Sequence, residues 1–129
     1  MRDIKYIAVH CTATSQNVKV ETILKNWKAL GWKRPGYHYL IDKDGVIHNL
    51  HPEEQFSNGV KDYNMQTINV CYIGGAKVDD RTDAQKAIML GLLKDLKGRY
   101  PNALIQGHRD FPNVNKACPR FNAKEEYNF

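Results

Sequence analysis

Cysteine is scarce: three in 129 residues, an odd number that cannot close a complete set of disulfides. A fold stapled by bridges is excluded, and the thiols are expected to stay reduced or to bind metal. Long apolar runs are missing too. The longest, Ala87 to Leu93, is interrupted by Gly91 and falls far short of the roughly 20 residues needed to cross a bilayer. No membrane span is expected. From Arg2 to Tyr6 charged and apolar residues alternate, without the apolar core of a secretory signal. The expectation is synthesis in the cytoplasm without a signal peptide. No repeat or low-complexity tract occurs, and no basic run exceeds Lys33-Arg34. The net charge of +5 suits an anionic partner or simple solubility and selects neither. Aromatic-basic RNA motifs, zinc-finger spacing and a recognition-helix pattern are all lacking, so nucleic acid is not an expected partner.

What is present is an ordinary globular composition, 42% hydrophobic and 26% charged. A chain of this length buries about two thirds of its extended surface, so residues 1–129 read as one domain, expected to act as a monomer. Ile4 to Val9 is apolar on both alternating faces and reads as a strand covered on both sides, with His10 at its C-terminal end. Val20, Ile23, Leu24, Trp27 and Leu30 fall at helical spacing before Gly31, which predicts a short amphipathic helix. Tyr37 to Ile41 and Val46 to Leu50 flank Asp42-Lys43-Asp44-Gly45, a hairpin pattern. Thr67 to Ile73 predicts another strand, ended by Gly74-Gly75. Thr82 with Gln85 predicts a capping box opening a helix through Leu96, which Gly98 and Pro101 stop. Leu104 to Gln106 is a last short strand, and Asn122 with Glu125 caps a final short helix. The order implies an α/β (α+β) fold, a central mixed β-sheet flanked by helices.

Five histidines stand at 10, 38, 48, 51 and 108. His10 and His108 each follow a predicted strand, and Cys118 lies in a segment that Pro112, Asn113 and Asn115 mark as a loop able to fold back over the histidine. Two imidazoles and a thiolate make a chemically sensible zinc site with a fourth position free. Spacing alone equally allows a buried Cys118 beside two hydrogen-bonded loop histidines. Cys11 and Cys71 read as buried small hydrophobes, His38, His48 and His51 as structural or exposed. Trp27 and Trp32 read as packing residues, with stacking on sugar open to either at a cleft rim. Asp110 reads as either a carboxylate orienting the His108 imidazole or a plain loop residue.

Several segments occur in one order: His10-Cys11-Thr12-Ala13-Thr14, Gly36-Tyr37-His38-Tyr39 before Asp44-Gly45, Tyr63-Asn64 leading into Ile68-Asn69-Val70 and Gly74-Gly75, and Gly107-His108 with Lys116-Ala117-Cys118-Pro119. Together they resemble the zinc-dependent N-acetylmuramoyl-L-alanine amidases of the bacteriophage T7 lysozyme and peptidoglycan-recognition-protein superfamily, from about Ile4 to Phe121. The resemblance implies an amidase/PGRP-like fold with a Zn2+ cleft, His10, His108 and Cys118 as metal ligands, and Tyr37 and Lys116 as catalytic residues that stabilise charge on the substrate oxygen. It implies peptidoglycan as partner, hydrolysis between N-acetylmuramic acid and L-alanine, and endolysin-like action at the cell wall after release. Asn58 stands where many relatives carry a histidine, and the loop from His108 to Cys118 is longer than in the phage form. The alternative is a peptidoglycan-binding receptor without turnover; such members typically lack the cysteine ligand, so Cys118 favours the enzyme.

Overall fold

The computed structural model describes residues 2–129. Ile7, Ala8 and Val9 are fully buried, as a strand with apolar residues on both faces requires. They belong to β1 (Tyr6–Cys11), which pairs in parallel with β4 (Thr67–Tyr72) on one side and β5 (Leu104–Gly107) on the other. β2 (Tyr39–Ile41) runs parallel to β4, and β3 (Ile47–Asn49) pairs antiparallel with β2, giving the order β3-β2-β4-β1-β5. The hairpin between β2 and β3 turns as its sequence requires. Asp42 Oδ1 accepts from the Asp44 and Val46 backbone N–H groups, and Gly45 takes φ +82°, a left-handed conformation that glycine adopts without steric cost.

Helices α1 (Val20–Ala29) and α2 (Asp83–Arg99) cover opposite faces of the sheet, and α3 (Ala123–Glu126) ends the fold. The capping box at Thr82 forms in both directions, side chain to Gln85 N and Gln85 side chain to Thr82 N. Asn122 caps α3 by accepting from Glu125 N. Side chains alternate along a strand, and here the alternation divides the core. Ile68, Val70 and Tyr72 of β4 and Ile7, Val9 and Cys11 of β1 pack with Met89, Leu93 and Leu96 of α2. Each fully buried aliphatic side chain is worth roughly 1.5–3 kcal/mol. Cys71 and Ile73 face the other way, toward Ile23 and Leu40 with Trp27 and Tyr37 alongside. Ala8, on that same second face of β1, meets Val60 and Phe111. His10 and Asn69, one strand apart, therefore share the face that α2 does not cover.

Three expectations need correction. The first strand spans Tyr6–Cys11 instead of Ile4 to Val9, so His10, at its C-terminal end as expected, is itself a strand residue, because pairing with Cys71 and Tyr72 continues through Cys11. Tyr37 precedes β2 instead of belonging to it. Leu24 and Leu30 are 41% and 67% exposed; α1 offers only a narrow stripe to the sheet, centred on Ile23.

One buried cation ties the C-terminal segment to this core. The Arg81 side chain is 1% exposed, bonds Asp79 at 2.9 Å, Glu126 at 2.9 Å and the Tyr127 hydroxyl at 2.7 Å, and lies 3.5 Å from the centre of the Phe121 ring. Removing the guanidinium strands Asp79 and Glu126 together and empties the face of Phe121. Arg81→Ala is expected to lower unfolding free energy by about 3 kcal/mol, measured as a shifted urea midpoint at unchanged slope.

Candidate metal centre

Three separate segments deliver three donors. β1 supplies His10, the turn that follows β5 supplies His108, and the returning loop supplies Cys118. Their ligating atoms all lie within 4.8 Å of one another. The loop is held at its base from both sides: Arg109 N donates to Cys118 O at 3.0 Å, the Tyr72 hydroxyl donates to Pro119 O at 2.7 Å, and Arg120 donates to Gly75 O and Ala76 O. Cys118 Sγ accepts from the Cys11 backbone N–H at 3.1 Å, so the sulfur is aimed at the end of β1 beside the histidines.

The electrostatics keep both imidazoles neutral. Burial, then the neighbouring His108, lowers the His10 pKa from 6.5 to about 3, and burial with the Lys116 ammonium lowers His108 to about 4. Neutral imidazole is the form that binds a metal. The hydrogen bond shared with Cys11, together with burial, pushes the Cys118 thiol up; a dication at the same place reverses that preference, since a coordinating thiol is deprotonated. Two neutral nitrogens and one ionisable sulfur, converging from β1, the turn after β5 and the returning loop, fit a zinc ion with one position left open.

Tyr37 stands against this cluster, its ring centre 5.0 Å from that of His10. Burial and the nearby thiols raise its pKa well above the ordinary 10, so the phenol remains a hydrogen-bond donor at neutral pH. Trp27 packs edge-on to Tyr37 at 5.4 Å and stacks on Trp32, which is 40% exposed at the rim. The cleft over the donors has a volume of about 220 Å³ and adjoins a hollow of about 590 Å³ walled by Trp32, Asp62, Asn113 and Lys116. Lys116 is exposed on the loop and lines both. Asn58 also lines both, its amide donating to Arg34 O. Asp110 accepts from Gly107 N at 2.9 Å and so caps its own turn, in place of bonding the His108 ring. Cys11 and Cys71 are buried as expected, and His48 is paired with Asp42.

Of the residues under His10, only His38 carried an expectation, as structural or exposed, and it is fully buried. His10 Nε2 meets Asn69 Oδ1 at 2.8 Å, Asn69 Nδ2 meets Ser57 Oγ at 2.8 Å, and Ser57 Oγ lies 3.2 Å from His38 Nδ1. All four residues are 0–1% exposed. Their one visible sign in the sequence is a polar Asn69 inside Ile68-Asn69-Val70-Cys71, a run otherwise apolar on both faces.

Fold and cleft define an α/β domain whose polar groups gather at strand ends. Similarity to known proteins agrees. The profile of the N-acetylmuramoyl-L-alanine amidase family (Amidase_2) matches residues 1–121. The endolysin of Escherichia phage T7 is 37% identical over 127 residues, spanning 92% of this chain and 82% of the relative. That of Enterobacteria phage K11 is 35% identical over 120 residues, 88% and 78% of the two chains. Among solved structures, N-acetylmuramoyl-L-alanine amidase LysC from Clostridium intestinale superposes with a TM-score of 0.82 at 25% identity, over 97% of this chain and 82% of that one. Drosophila PGRP-SA shares the fold, with a TM-score of 0.79 at 16% identity over 99% and 79%. The chain belongs to the N-acetylmuramoyl-L-alanine amidase family and is an enzyme of that peptidoglycan-directed class.

His38 makes acid a destabilising agent. Burial, then the Arg2 guanidinium, lowers its pKa from 6.5 to about 4 against the favourable contact with Gln55 O. The unfolded chain takes up this proton as pH falls through about 6.5, the native protein only near 4, so stability drops with acidification across that window. His38→Gln is expected to reduce the proton uptake on unfolding near pH 5 by about one, read from urea unfolding of metal-free protein at a series of pH values.

Proposed function

We propose that this chain hydrolyses the lactyl amide joining N-acetylmuramic acid to L-alanine in a zinc-dependent manner, as a single catalytic domain acting as a monomer. The observation that carries the proposal is the convergence of His10, His108 and Cys118 from three distant segments at the floor of a cleft that also holds Tyr37. The names of the phage relatives extend it to endolysin-like lysis, with the protein made in the bacterial cytoplasm and acting at the wall after release.

In this reading His10 and His108 present neutral nitrogens, and Cys118 gives up its thiol proton to become the one anionic donor. The chemistry supplied by a bound Zn2+ is Lewis acidity, which acidifies water toward neutral pH and polarises the substrate carbonyl. The Tyr37 hydroxyl donates a hydrogen bond toward the carbonyl oxygen as negative charge develops there, and its raised pKa keeps that proton in place. Lys116 brings an ammonium from the loop wall to the same charge. Such preorganised donors are commonly worth about 100-fold or more in rate. Trp32 at the rim offers an aromatic face to a sugar ring.

Mass spectrometry of digested peptidoglycan tests bond and metal together. Zinc-loaded protein is expected to release free L-alanine amino termini with the glycan strands uncut, chelation is expected to stop release, and restored zinc to revive it. Cleavage of another bond, or binding of muropeptides without any product, overturns the proposal. Cys118→Ser should lose turnover with its fold intact by circular dichroism, whereas Tyr37→Phe should lower kcat by about 100-fold while zinc remains bound.

A further inference from the structure

We propose that Asn69, Ser57 and His38, clamped by Gly59, form a positioning relay that keeps His10 protonated on Nε2 and so turns its Nδ1 toward the cleft. The proposal rests on the reading of His10 as a metal ligand, and the donor and acceptor roles along the relay carry it.

Those roles are forced from the far end. His38 Nε2 has two neighbours, the Gln55 carbonyl at 2.8 Å, which can only accept, and the Arg2 guanidinium at 3.3 Å, which can only donate. The Asn69 backbone N–H, pointing at Nδ1 from 3.0 Å, decides between them, because it requires a bare Nδ1 and so places the His38 proton on Nε2. The Ser57 hydroxyl lies 3.2 Å from this nitrogen and 3.2 Å from the Gly36 carbonyl. Both are acceptors, so Ser57 gives its one proton to that side and must accept from Asn69 Nδ2. The amide is thereby oriented with Oδ1 toward His10, and an amide oxygen can only accept. His10 Nε2 must donate, and Nδ1 is the nitrogen left to bind a metal.

The fold protects this orientation sterically. A Cβ on Gly59 would sit 2.3 Å from both Cγ and Oδ1 of Asn69, a distance no real contact allows. Glycine there lets the backbone lie flat on the carboxamide, so the amide can neither swing away nor admit water. An unpaired amide buried this deeply is costly, and every polar atom of the Asn69 side chain has its partner within the relay. Asn69 is a positioning residue: it sets ring orientation and tautomer through a hydrogen bond, and such partners of a ligand typically hold 10- to 100-fold in metal affinity.

Nitrogen-15 NMR of histidine-labelled wild-type protein, first metal-free and then with zinc, reads the tautomer directly. The expected result is a proton on His10 Nε2 in both states; a proton on Nδ1 in the metal-free protein overturns the relay without reference to any variant. Zinc competition against a chromophoric chelator supplies the second readout. Asn69→Ala is expected to bind zinc about 10- to 100-fold more weakly, Gly59→Ala to weaken it in the same direction, and Asn69→Asp, which keeps the acceptor oxygen, to recover most of the loss. Affinity in Asn69→Ala equal to wild type overturns the proposal, as does failure of Asn69→Asp to exceed Asn69→Ala when both are folded. Wild-type protein that binds no zinc sinks the metal reading of the site, while the metal-free tautomer still decides the relay.

Discussion

Burial on both faces of the two central parallel strands, β1 and β4, is the constraint from which the rest of the structure follows. β1 and β4 have no solvent-facing side, so each of their residues must be apolar or must find a polar partner inside the protein. Ile7, Val9, Ile68, Val70 and Tyr72 satisfy the first condition against α2. His10 and Asn69 satisfy the second by bonding each other across the sheet. The same geometry that makes a polar pair expensive in this position gives it a fixed orientation once paired, because no water competes and the neighbouring side chains are closely packed.

That division of labour separates stability from chemistry. The α2 face holds the larger apolar cluster, and its buried Gln85 satisfies the carbonyls of Ile41 and Ile73 at strand ends. The opposite face carries a smaller cluster and leaves room for the cleft at the C-terminal end of β1. Low dielectric there does two things at once. It keeps His10 and His108 uncharged, and it strengthens the interaction of any cation with the Cys118 sulfur. A site of this kind is poised for a dication in a way that a solvated cluster of the same residues is not.

Much of this was legible in the sequence because it depends on local pattern. The double-faced apolar run of β1, the Thr82 to Gln85 capping box and the turn at Asp42 to Gly45 each act over a few residues. The His, His, Cys combination came from residue chemistry and ordered motifs, and the fold brings those three together. What escaped depends on long-range partners. Periodicity placed Leu24 and Leu30 on an apolar stripe, yet α1 meets the sheet only along the narrow line of Val20, Ile23 and Trp27, and Leu30 lies past the helix end, so both are exposed. Asp110 sits two residues from His108 in sequence but turns to its own backbone, since a tight turn satisfies the carboxylate sooner than a distant ring does. Asn69, Ser57 and His38 are spread over three segments, and nothing local distinguishes a structural histidine from one that relays a hydrogen bond.

Cys118 is the candidate donor that comes from the returning loop, and its neighbours show how that loop is held. Its neighbours are anchored outside their own loop: Pro119 to Tyr72 at the end of β4, Arg120 to the Gly75 and Ala76 carbonyls in the segment after β4, and Phe121 beneath the Arg81 guanidinium just before α2. On the other side Arg109 pins the Cys118 carbonyl. The intervening segment through Lys116 is bound by none of these contacts and faces the cleft. Precision is thus confined to the sulfur, where donor geometry demands it. Lys116 at the tip is exposed, and a charge acts over a longer range than a coordinating sulfur does.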